Sequence, residues 1–98
     1  MKFFGTYDVE SKIKETNQKS KLHKIRVAPI NFTEDRQGIS ISYYADKLDN
    51  KPNLYELNSN FDFYRALGLL LEEVARAYPE GFKVKKEKDV DYYELIFS

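Results

Sequence analysis

Catalysis requires nucleophiles, general bases or metal ligands held together, and this chain is poor in all of them. His23 is the only imidazole and there is no cysteine, which excludes thiolate chemistry, disulfides and the common zinc sites. Neither a glycine-rich phosphate loop nor a GxSxG elbow occurs. The usual nucleophile and acid–base sets therefore cannot be assembled, and the chain reads as a non-enzyme without a cofactor. Glu34/Asp35, Asp46/Asp49 and Asp89/Asp91 have the oxygen chemistry of a hard-cation site, but a calcium loop needs ligands at fixed offsets around a turning glycine. The stretch DKLDNKPN, residues 46–53, lacks that glycine. Each acidic pair falls in a turn, where Asp and Asn side chains bond the local backbone. His23, between Leu22 and Lys24, has no second ligand nearby in sequence and reads as a partly exposed strand residue, so no metal is expected.

What remains is the chemistry of binding. In GISISYYADK, residues 38–47, Ile39, Ile41 and Tyr43 fall on one side of a strand and Ser40, Ser42 and Tyr44 on the other. If the strands share one sheet with a helix behind it, the open face collects Lys24, Arg26, Ser40, Ser42, Tyr44, Lys83, Lys85, Tyr92 and Ile96. Tyr and Arg are enriched in protein interfaces and carry much of their energy, so Tyr44, Tyr92 and Ile96 form a first candidate partner surface. A second is Leu69 on the helix, an apolar knob ringed by Asp62, Arg65, Glu72 and Arg76. The partner would be a second copy or a larger host protein.

The alternative partner is single-stranded nucleic acid. Each base stacked on an aromatic ring is worth about 1–3 kcal/mol, and Lys24, Arg26, Lys83 and Lys85 would meet phosphates beside Tyr44 and Tyr92. Lys12, Lys14, Lys19 and Lys21 would add to them. Against this, no glycine–aromatic RNP-type motif is present, and Asp46, Asp91 and Glu94 interrupt the positive surface. A third reading is structural: tyrosine has high strand propensity, and Tyr44 and Tyr92 would simply cover the sheet as cross-strand neighbours.

The elements that place these residues follow from periodicity. Lys2–Val9 alternates and predicts a strand, whereas residues 10–21, ESKIKETNQKSK, carry Ile13 alone and predict a mobile basic loop. Leu22–Phe32 and GISISYYADK predict an antiparallel hairpin over residues 22–47 across TEDRQG, with Ile25 and Val27 inward and Pro29 marking an edge or a strand end. LYEL predicts a short further strand. One long amphipathic helix is expected over residues 60–78, capped by Ser59 or Asn60 and stopped by Pro79 and Gly81. Its buried side would hold Phe63, Tyr64, Leu67, Leu70, Leu71, Val74 and Tyr78, and its wet stripe Asp62, Arg65, Glu72, Glu73 and Arg76. The width of that apolar arc calls for more than one covering layer, which a dimer or a larger partner would supply. A terminal hairpin puts Phe82, Val84, Tyr93, Leu95 and Phe97 inward and Tyr92, Glu94 and Ile96 outward.

These elements define one α+β domain over 1–98, a mostly antiparallel sheet of four to six strands with the helix on one face. At 98 residues, 42% hydrophobic, 15% aromatic and 33% charged, the composition suits a single ring-rich core. Lys plus Arg and Asp plus Glu number 16 each, so no net field draws the chain to polyanions, and a partner must use a local patch. No run of about 18 apolar residues occurs, and a cytoplasmic protein without membrane contact is the expectation. The abundance of Lys, Asn, Ile and Tyr fits an A/T-rich coding genome. Small single-domain proteins without catalytic motifs are often phage or mobile-element products that bind and block a host protein, acting as inhibitors or accessory subunits.

Overall fold

Two helices on one face of an antiparallel sheet define the architecture of the computed structural model, which describes residues 9–46, 51–58 and 62–97. In chain order the elements are α1 Val9–Lys19, β1 Leu22–Asn31, β2 Gln37–Ala45, β3 Asn53–Glu56, α2 Phe63–Ala77, β4 Lys83–Lys85 and β5 Tyr93–Ile96. The five strands lie in the order β3-β2-β1-β5-β4, with every neighbouring pair antiparallel. The α+β class and the antiparallel sheet are thus as the periodicity predicts. The strand expected over Lys2–Val9 lies outside the described residues except for Val9, and so do the expected caps Ser59 and Asn60.

β1 and β2 form the central hairpin because both alternate over most of their length, β1 breaking step at the register shift between Leu22 and Lys24. Ile25, Val27, Ile39 and Ile41 are fully buried, and Tyr43 is nearly so. Phe32 N–H donates to the Arg36 carbonyl at 2.8 Å and closes the turn. Gly38 is required by close approach: a Cβ there would collide with the Phe32 ring and the Tyr55 carbonyl oxygen, so the Phe32 ring covers the bare backbone in its place.

Residues 10–21 are not a loop; most of them form the 11-residue helix α1. Val9, Ile13 and Thr16 follow helical spacing, and all three are buried. The stripe was hidden because Val9 reads as the end of a strand and Thr16 as polar. Two (i, i+4) pairs, Glu10–Lys14 and Glu15–Lys19, each at 3.6 Å, lie along the helix. A single long helix over 60–78 is likewise corrected to a 15-residue α2, whose cap is Asp62, accepting from Arg65 N–H at 2.8 Å.

α1 and α2 share one core cluster with the inward residues of the sheet, including Leu70, Val74, Ile25, Ile41 and Leu95. The second layer demanded by the broad apolar arc of α2 is therefore α1 of the same chain. Glu73, expected on the wet stripe, is only 5% exposed, because it stands at helical spacing from buried Ala66 and Leu70. Tyr64 is corrected the other way: it leans edge-on against Phe63 at 5.6 Å and is 69% exposed. Val84 does face the helix side, paired with buried Leu95, but among the described residues β4 is an edge strand and Val84 is left 50% exposed. Among the described residues no helix is long and apolar enough to cross a membrane.

Candidate functional site: the open face of the sheet

With both helices on one side, register alone decides what the other side carries. One row across the sheet runs Tyr44, Lys24, Ile96, Lys83, and the next runs Ser42, Arg26, Glu94, Lys85. The structure therefore brings together Tyr44, Lys24, Arg26, Ile96, Lys83 and Lys85 on one face, as the alternation predicts. Tyr92, immediately before β5, joins them through Arg26, whose guanidinium carbon lies 4.2 Å from the Tyr92 ring centroid and 5.4 Å from that of Tyr44. Lys24 Nζ sits 4.8 Å from the Tyr44 centroid.

The acid that interrupts the positive surface turns out to organise it. Glu94 accepts from Arg26 at 3.0 and 3.3 Å and lies 3.0 Å from Lys24 Nζ, with its side chain only 12% exposed. Burial pushes the Glu94 carboxyl up, but the hydrogen bonds and charges of Lys24 and Arg26 outweigh it and hold the group below its ordinary 4.5. Burial likewise opposes the charge on Arg26, yet its bond to Glu94 and the flanking phenols raise it above its usual value. Ser42, expected on this exposed face, is only 8% exposed, lying in the same row as Arg26. The tyrosines at the strand ends thus flank a preorganised cation that is held to the sheet by a carboxylate.

This ion cluster sets a pH dependence. A carboxyl lowered on folding adds stability above its unfolded value, and that stability is lost as pH falls through the lower folded value. Glu94→Gln is expected to cost about 1.5–3 kcal/mol at neutral pH, the range for hydrogen bonds to charged groups. The difference from wild type should shrink toward zero as pH drops below 4.5, as read by urea unfolding at a series of pH values. A gap that persisted unchanged in acid would contradict it.

The remaining candidates are placed as follows. Leu69 is half-buried on α2, with exposed Arg65, Glu72 and Arg76 around the same helix, on the far side of the molecule from Tyr44. Lys12, Lys14 and Lys19 belong to α1 in the helix layer: Lys12 Nζ lies 5.9 Å from the ring centroid of Tyr43, which points away from Tyr44. They therefore do not extend the open face. His23 Nε2 lies 2.5 Å from Asp46 Oδ1 beside the register shift between Leu22 and Lys24. Glu34 and Asp35 occupy the β1–β2 turn, Asp89 sits at φ 71 in the β4–β5 turn, and Asp49 lies outside the described residues. Among the described residues no cluster of three or more His, Cys, Asp or Glu side chains could hold a metal ion.

Alternation also carried a part of this face that was overlooked. Leu54 pairs with Ser40 and is 53% exposed, and Phe32, at the turn, is 38% exposed, so the open face ends in an apolar corner. The signal was LYEL, whose period places Leu54 beside Ser40 once β3 is paired to β2. Beside that corner Arg36 reaches Glu56 with bonds of 3.0 and 2.5 Å; the hydrogen bond to Glu56 raises Arg36 above its usual value and lowers Glu56 below 4.5. Comparison with family models, with curated proteins and with solved structures finds no match, so the meaning of this face rests on its own residues.

Proposed function

We propose that the protein is a non-enzymatic interaction module, an inhibitor or accessory subunit that docks a partner protein on the open face of its sheet through Tyr44, Tyr92 and Ile96. The observation that carries this reading is the Tyr44–Arg26–Tyr92 cluster pinned by Glu94. Tyr and Arg anchors are the side chains that dominate interface energetics, and anchors already fixed lose less entropy on binding. Ile96 between Lys24 and Lys83 supplies an apolar centre with a charged rim, and Phe32 and Leu54 extend the apolar area toward β3.

The same facts weigh against single-stranded nucleic acid. Stacking a base needs a free ring face, and here cations approach both tyrosine rings. Lys24 and Arg26 share Glu94 and Lys85 lies 3.0 Å from Glu87, so phosphates would have to displace acids already in place. The helix α2 surface around Leu69, Arg65 and Arg76 is the second protein-docking candidate and is disfavoured because α1 already supplies the layer that its apolar arc requires.

Salt separates the readings, since phosphate binding weakens steeply with ionic strength while contact through apolar and ring surface weakens little. The chain immobilised and exposed to extract of its native host is expected to retain a protein, identified by mass spectrometry, at low and high salt alike. Parallel columns of single-stranded DNA and RNA should retain nothing at low salt. Retention on either strand that vanishes as salt rises would replace this reading with the nucleic-acid one.

A further inference from the structure

Among the described residues the β4 edge offers unpaired backbone next to side chains of one chemical character. β4 pairs with β5 on one side only among the described residues, so alternate residues of Lys83–Lys85 turn their N–H and C=O groups outward. Lys83 and Lys85 stand on the open face, and Val84 lies between them on the helix side, 50% exposed. Lys83 has no acidic partner among the described residues, while Lys85 pairs with the exposed Glu87 at 3.0 Å. At the start of the strand a cleft of about 420 Å³ is lined by Glu80, Gly81, Phe82, Lys83 and Ile96.

We propose that this edge accepts an extended acidic segment of the partner protein as a sixth strand beside the five present. Acidic residues of that segment lie opposite Lys83 and Lys85, an apolar residue lies opposite Val84, and a second apolar side chain enters the cleft against Phe82 and Ile96. Main-chain bonds supply the affinity of such strand addition and the alternating side chains its selectivity. A second copy of this chain does not fit, because pairing one β4 with another would set lysines against lysines. Because Ile96 and Lys83 belong to both surfaces, the edge continues the docking face; the inference rests on that reading only in taking the partner to be a protein.

The test titrates two short blocked peptides, one alternating Glu with Val and one alternating Lys with Val, into the isotope-labelled full chain while backbone amide resonances are followed. The Glu–Val peptide is expected to shift the amides of residues 81–85 saturably, and the Lys–Val peptide to leave them unmoved. Combining Lys83→Glu with Lys85→Glu should weaken the Glu–Val peptide at least about tenfold, roughly 1.4 kcal/mol, and turn preference to the Lys–Val peptide. Both side chains are exposed, and unchanged amide dispersion checks the fold. Peptide binding is read on the β4 amides themselves, independently of partner capture, so failure of the ring surface is distinguishable from failure of the edge. No saturable shift on β4, or equal response to the two peptides, overturns the proposal.

Discussion

Replacing Ile13 by alanine is expected to destabilise the fold by about 2–5 kcal/mol, the range for truncating a buried aliphatic side chain. Ile13 is 1% exposed and belongs to the same buried cluster as Ile25, Leu70 and Leu95. A domain of ordinary stability has about 5–15 kcal/mol in total, so the variant should unfold at markedly lower urea and lose helix signal at α1 first. Lys14→Ala, one residue away, removes only an exposed pair with Glu10 and should cost about 0.3–0.5 kcal/mol. If residues 10–21 were a solvated loop, both substitutions would fall within about 0.5 kcal/mol of wild type. The contrast between neighbouring positions therefore tests whether α1 is a packed layer.

Tyr44→Ala together with Tyr92→Ala is expected to weaken partner binding at least about a hundredfold, since anchor residues cost about 2 kcal/mol or more each when truncated. The fold should survive, because both rings are half-buried on the sheet face opposite the helix layer. Arg26 would lose two rings and keep Glu94. Cation–π contacts at partly exposed sites are worth about 0.5–1 kcal/mol, which bounds the expected loss of stability from those contacts. Leu69→Glu, on the far layer, should leave affinity unchanged. Reversal of these two outcomes would move the interface to α2.

The sheet was legible because period two is written plainly in three of its strands: Ile25 and Val27, Ile39 and Ile41, and Leu95 with Phe97 all go where alternation puts them. The face bearing Tyr44, Lys24, Arg26 and Ile96 follows from the same rule. Helix α1 escaped because its stripe of Val9, Ile13 and Thr16 is narrow and one member is a threonine, so a hydrophobicity pattern shows a single apolar residue where the fold uses a surface. The misplacements of Glu73, Tyr64 and Val84 share one cause. Periodicity tells which side of an element a residue occupies, but which sides are covered depends on neighbours, here α1 over part of α2 and, among the described residues, no strand beyond β4. The role of Glu94 was hidden for a similar reason: sequence registers it as an interrupting acid, while cross-strand register sets it against Arg26 and Lys24 at once.

The most direct measurement places a photo-activated cross-linking residue at position 44 in the native host, with position 72, exposed on α2, as the control. The account predicts that irradiation joins position 44 to one protein species and leaves position 72 unlabelled. Labelling at 72 equal to that at 44, or cross-links from 44 to nucleic acid alone, would contradict it.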